Sequence, residues 1–302
     1  MLPTLKTLRN TFSPVSVRLI TAMTLAAAMT GAADPLPAQR DGRGDWRLDY
    51  NDTQQRIQLT FENFDEHGGR SSTSFPVPLT SLEGLSISQL LGPTTPVRFS
   101  LKRDAGTFSF DGRAGSGWGR GVFGFRADPQ FRDQLARRGY ERPDTDEQFE
   151  LALHDVGYSL VDELKAQGYR RPSIEGLITM GQHGARFDFI RALAQLGYKL
   201  GDTDKLVDLR DHGVTPSFAE GLRDQGHKGL SADDLVNARD HGVTPSFAEG
   251  FRQLGYTPSL SDLVRLRDHG VTVEFAKRAR DRRGSNLALD ELVRMRDRGD
   301  SY

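Results

Sequence analysis

The feature that most constrains this chain is a repeat in its second half. Glycines closing similar segments fall at Gly157, Gly184, Gly213, Gly242, Gly270 and Gly299, in steps of 27, 29, 29, 28 and 29 residues. A fixed period of roughly 20–50 residues marks a stacked array of one supersecondary unit. The fourth and fifth units open with the same string, HGVTPSFAEG, at His212 and His241.

Each unit reads as two helices. The first carries a large apolar residue, another four later and a glycine four after that: Phe131/Leu135/Gly139, Leu160/Leu164/Gly168, Phe189/Leu193/Gly197, Phe218/Leu222/Gly226 and Phe247/Phe251/Gly255. Residues four apart share a helix face, so each pair is a core stripe. The glycine stands where a left-handed terminator is needed. Tyr140, Tyr169, Tyr198, His227 and Tyr256 follow, placed to fold back on the last turn. Thr215-Pro216 and Thr244-Pro245 supply an N-cap and a proline at the first helical position. Ser231 with Asp234 resembles a capping box. Second helices carry Leu206/Leu209, Leu235, Leu263/Leu266 and Leu292/Met295 before Arg-Asp-His-Gly. One such pair cannot bury its apolar face alone, whereas six stacked pairs can. In the last unit Ala279 replaces the leucine, Arg283 adds a residue and Arg298 replaces the histidine, as a polar end cap requires.

Ahead of the array, period-two alternation predicts strands. It is clearest in Arg47–Tyr50, Arg56–Phe61, Val97–Leu101, Thr107–Phe110 and Val122–Phe125. The last two flank a Gly-rich connection, and in register they would put Phe108, Phe110, Phe123 and Phe125 on one face of a hairpin. Thr80–Leu85 reads as a short helix or turn. The fold class is thus α+β: an antiparallel β-sheet or sandwich (45–127) followed by an α-solenoid of about six two-helix repeats (128–299). A lead (34–44) and a short tail (300–302) flank them.

The N-terminal stretch 1–33 places Lys6, Arg9 and Arg18 before an apolar run, Leu19–Met29, then small residues and no acid before Asp34. That is the pattern of a cleaved secretory signal, the run being shorter than the about 20 residues of a membrane span. An uncleaved anchor or a transit peptide is the alternative. The expectation is an exported chain, periplasmic or extracellular, with no membrane span after signal cleavage. There is no cysteine, which excludes a disulfide framework, a lipidated N-terminal cysteine and thiolate chemistry. A net charge of -1 gives no general attraction to nucleic acid.

Candidate chemistry is sparse. His183, His212, His241 and His269 recur at one place in successive units, but about 8–10 Å between neighbouring helices is too far for shared ligation at about 2 Å. A ring at a helix C-terminus, facing its carbonyls, explains them better. Arg210/Asp211, Arg239/Asp240, Arg267/Asp268 and Arg296/Asp297 form either a charged binding ridge or a series of repeat-to-repeat ion pairs. Gly119, Gly121 and Gly124 match a dinucleotide fingerprint in letters, but they run into a strand instead of opening a helix. Trp118, flanked by Arg113 and Arg120, is the one candidate ligand contact, read as a loop tip. Asp144/Asp146 and Asp202/Asp204 lack the glycine and glutamate of a calcium loop and read as helix caps. No catalytic, metal or cofactor site is assigned.

The stretch Pro96–Phe99, Arg103–Phe108, Phe110–Gly112, Phe123–Phe125 and Asp128–Phe131, followed by Leu-Arg-Asp-His-Gly-Val repeats, resembles an extracytoplasmic region attached to some bacterial membrane metallopeptidases of the beta-lactam-sensor type, and free-standing exported relatives of it. The resemblance covers residues 45–299 and implies architecture more than activity. The peptidase half, with its zinc motif, is absent, so proteolysis is not implied. The leading expectation is an exported non-enzymatic scaffold that binds a protein or peptide. The alternative is a sensing module for a small molecule or cell-wall fragment, and a third is a hydrolase with unrecognised residues. No nucleic-acid partner is expected.

Overall fold

The computed structural model describes residues 43–51, 56–64 and 70–300. The expected signal segment, 34–42 of the lead and the last two residues lie outside them. Among the described residues no helix is long and apolar enough to cross a membrane.

Alternating polar and apolar residues build seven strands: β1 (Arg43–Asn51), β2 (Arg56–Phe64), β3 (Arg70–Val77), β4 (Leu82–Glu83), β5 (Thr95–Arg103), β6 (Gly106–Gly115) and β7 (Trp118–Ala127). They form one antiparallel sheet in the order β3-β2-β1-β7-β6-β5-β4. Of the two expected forms, this is the single sheet, and it is curled. Phe61 on β2 lies 4.9 Å from Phe108 and 5.7 Å from Phe110 on β6, ring centre to ring centre. Those strands are three steps apart, roughly 14 Å in a flat sheet at about 4.8 Å per step. Curling closes the inner face over Trp46, Leu48, Leu59 and the four phenylalanines of the β6–β7 hairpin, all buried. The register Phe108↔Phe125 and Phe110↔Phe123 is the expected one.

The Gly-rich run is strand on both sides of a two-residue turn, Ser116-Gly117, with φ of 55° and 84°. Two positive φ values match the turn to the twist of its strands. Trp118 is therefore the first residue of β7 and not a loop tip. The glycines make room for Trp46. A Cβ at Gly119 would lie 2.9 Å from its ring, one at Gly121 would lie 2.8 Å from its nitrogen, and the indole N–H donates to the Asp111 carbonyl at 3.2 Å. The 80–85 segment resolves into a short 3-10 turn (Leu79–Ser81) and β4, and α1 (Ile87–Leu91) follows with a Ser86/Gln89 capping box. Carbonyls at α1's end hold the hairpin turn: Leu90 accepts from Gly117 and Gly92 from Ser116.

Twelve helices follow: α2 (Pro129–Arg137), α3 (Thr145–Leu153), α4 (Tyr158–Ala166), α5 (Ile174–Gln182), α6 (Phe187–Gln195), α7 (Thr203–Asp211), α8 (Pro216–Asp224), α9 (Ala232–Asp240), α10 (Pro245–Gln253), α11 (Leu260–Asp268), α12 (Val273–Arg283) and α13 (Leu289–Asp297). Each packs on the next but one, α4 on α6, α5 on α7 and onward. First helices of the units therefore make one layer and second helices the other. Thr215 and Thr244 cap α8 and α10 ahead of their prolines, Ser231 and Asp234 form a full capping box, and Asp144 and Asp202 are N-caps. The C-terminal bonds are of Schellman type, as in Val214 N–H to Leu209 O at 2.8 Å.

One expected terminator is misplaced. In the first unit the left-handed residue is Asp155 (φ 59°), while Gly157 is extended (φ -128°) and N-caps α4. With Asp155 in place the terminators step by 29, 29, 29, 28 and 29 residues, and the 27-residue step disappears. The sheet is the cause. Asp155 pairs with Arg103 at 3.0 Å, and Asp104, in the turn after β5, accepts from the Tyr158 N–H at 2.8 Å where a side chain at residue 157 would collide with it. The turn thus caps the array's second unit. Buried Gln148 of α3 adds bonds to the carbonyls of Ala105 (3.1 Å) and Asp128 (2.9 Å), and Phe149 stacks on Phe123. Sheet and array belong to one compact unit.

Candidate functional site

The outer face of the sheet carries what the inner face excludes. Trp46 and Leu48 point inward on β1, so Arg47 between them points outward. Pairing sets Arg47 opposite Arg120 of β7, and Arg120 opposite Arg113 of β6. Three guanidinium groups therefore stand in one row across three adjacent strands, and like charges so placed repel. Trp118, 39% exposed, flanks the row on one side and Val122, 58% exposed, on the other. These five, with Asp45, Glu62 and Thr94, line an open cleft of about 510 Å³, within the range of small-molecule sites.

Arg47 is held by Glu62 at 2.7 Å. Arg113 donates to the Thr94 carbonyl at 3.2 Å, and the Arg120 guanidinium lies 5.8 Å from the Trp118 ring. Among the described residues neither Arg113 nor Arg120 has a carboxylate within ion-pair distance. The structure thus brings together Trp118, Arg113 and Arg120, the residues singled out from sequence. Sequence reasoning missed Arg47, Asp45 and Val122. Arg47 and Asp45 arrive through β1–β7 pairing, which has no local signature.

Two other hollows touch the array. One of about 550 Å³ lies where Arg103, Asp104 and Asp155 meet Arg186 and Asp188. Burial pushes the Arg103 guanidinium down, and Asp155 opposes that. Another, of about 310 Å³, sits at the C-terminal ends of α2 and α4 among Tyr140, Tyr169 and Arg171. There Arg138 grips Asp162 at 2.8 Å, holding that carboxyl below its usual range.

The recurring His and Asp pair between neighbouring units, and the recurring Arg lies over a Phe of its own unit. Nδ1 of His212, His241 and His269 pairs with Asp240 (2.7 Å), Asp268 (2.6 Å) and Asp297 (2.7 Å) of the following unit, and His183 pairs likewise with Asp211. The histidines are the C-cap residues of their helices through the backbone N–H, but the partners of their rings are carboxylates and not the helix carbonyls. Of the Arg-Asp residues, Asp makes the repeat-to-repeat pairs, with His and not with Arg. Arg210, Arg239, Arg267 and Arg296 lie over Phe189, Phe218, Phe247 and Phe275 at 5.1, 5.3, 4.2 and 5.5 Å. The Asp240 hydrogen bond raises the pKa of His212. At the first junction Gly181 and Gln182 replace Arg and Asp, and His154 turns to Glu150 at 3.4 Å. Among the described residues no group of three or more histidines and carboxylates is placed to hold a metal ion.

No protein-family model and no curated protein sequence matches this chain.

Proposed function

We propose that the chain is an exported, non-enzymatic binding protein whose helical array is the scaffold for a protein or peptide partner. The observation carrying this reading is a division of labour among the repeat positions. The recurring His and Asp are occupied by contacts between units, and the recurring Arg by a contact with the Phe of its own unit. By contrast, one exposed or half-exposed position of the first-helix layer changes sign along the array, basic at Arg191, acidic at Glu220 and Glu249 and basic at Lys277. A surface whose charge pattern changes along an otherwise regular array suits selective recognition. The His–Asp pairs offer no nucleophile: among the described residues no serine or threonine hydroxyl bonds to any of these rings. Export rests on the 1–33 segment.

Photo-crosslinkers at positions 191, 220 and 249 in the producing cell test the reading. One discrete product, lost on reversing charge at Arg191 and Glu220, is the expected result. No specific product at any of the three positions counts against it. A second reading, that the sheet's outer face binds a small ligand, is favoured by the juxtaposition of Trp118 with the arginine row.

A further inference from the structure

Resting on that second reading, we infer that the outer-face cleft takes a carboxylate-bearing sugar, with Arg113 and Arg120 on the acid and Trp118 against the ring. Charge sets the first condition. Arg47, Arg113 and Arg120 against Asp45 and Glu62 leave the lining at +1 (three cations, two anions), and Arg47 is already engaged by Glu62. The cleft thus has two guanidinium groups free of carboxylates, and a planar fork is the group that grips a carboxylate on two atoms. A polyanion fits poorly, because Asp45 and Glu62 in the lining and Asp49 and Asp111 on adjoining rungs repel it.

Shape sets the second condition. The cleft is open, so it cannot desolvate a wholly apolar molecule. It suits one with an apolar face for the indole and hydroxyls left in water, as a sugar ring has. Asp45 adds an acceptor for a hydroxyl or amide N–H. Trp118 is held for this role: the Ser116-Gly117 turn before it is pinned by α1, and the Tyr50 N–H donates to the Gly117 carbonyl at 2.8 Å. The repulsion among three aligned arginines is offset when an anion arrives.

Calorimetric titration of the whole chain with N-acetylmuramic acid, N-acetylglucosamine and lactate tests this. The first two share a ring and differ by the lactyl carboxylate, which lactate carries alone. Intrinsic fluorescence follows the same titrations, since of the two tryptophans Trp46 is fully buried and Trp118 is the exposed one. The expected result is binding of the acidic sugar only. Arg120→Gln should weaken it about tenfold or more, and Trp118→Ala should weaken it several-fold. Arg126→Gln, which removes the same charge further along β7, should leave it unchanged. Circular dichroism confirms that each variant folds. Equal binding of the neutral sugar overturns the assigned ligand class while leaving a ligand site. Binding of none of the three overturns the ligand-site reading itself.

Discussion

At the scale of single residues, this molecule separates groups that hold it together from groups facing solvent with unspent chemistry. Trp46 belongs to the first kind. Its indole lies on Gly119 and Gly121, where a methyl group would strike the ring or the Asp111 carbonyl. Gly121→Ala should therefore destabilise the protein by about 1–3 kcal/mol, the usual cost of overpacking. Urea denaturation checks this, and a neutral result would mean the glycines serve something other than Trp46. His212 is a second case. Its pKa is raised by the Asp240 carboxylate, so the folded state binds its proton more tightly than the unfolded chain. The resulting stability is fully present below the unfolded value of about 6.5 and is lost as pH rises through the higher folded value. The melting temperature should fall across that window, and less steeply in His212→Gln. Proton NMR of the ring locates the titration directly.

At the scale of elements, the helices are set by their ends. Thr244 accepts from the Phe247 N–H at 3.1 Å and precedes Pro245. Thr244→Ala should cost about 1 kcal/mol, and Thr244→Ser should restore most of it. Such signals are local, so helix count, caps and terminators were largely legible in the sequence. What escaped depended on distant partners. Asp155 was not readable as a terminator because its left-handed turn is supported by Arg103 on a strand. β3 escaped because among its described side chains only Phe75 and Val77 are buried and Pro76 breaks its pattern, which an edge strand tolerates. The cleft was half legible. Trp118, Arg113 and Arg120 are neighbours in sequence, whereas Arg47 joins them only when β1 pairs with β7.

At the scale of the whole molecule, the sheet acts as the first cap of the array and a degenerate last unit as the second. Gln148 is the hinge pin, buried and bonded to two carbonyls of the sheet's border. Gln148→Leu removes one bond from each carbonyl and should cost about 0.5–1.5 kcal/mol per bond. The carbonyls keep their backbone donors, Asp128 N–H on Ala105 and Phe131 N–H on Asp128. Unfolding followed by near-ultraviolet and far-ultraviolet circular dichroism should then separate into two transitions where the parent shows one. Coincident transitions in the variant would argue that Phe149 and Asp104 suffice to couple the parts. Within the array, stability should add unit by unit through nearest-neighbour contacts. The His–Asp pairs are the polar share of that coupling, whereas the Arg–Phe contacts join the two helices of one unit.

The conspicuous His and Asp residues join units, and in the proposed reading recognition falls to other surfaces. The most direct test of that joining role is thermal unfolding, across pH 6 to 8, of a variant with Asp211, Asp240, Asp268 and Asp297 all changed to Ala. A lower melting temperature than the parent and a flatter dependence on pH are expected, because the bond that raises His212 is gone. An unchanged melting temperature with unchanged pH dependence would contradict the joining role, and would free the histidine row for a role in binding or chemistry.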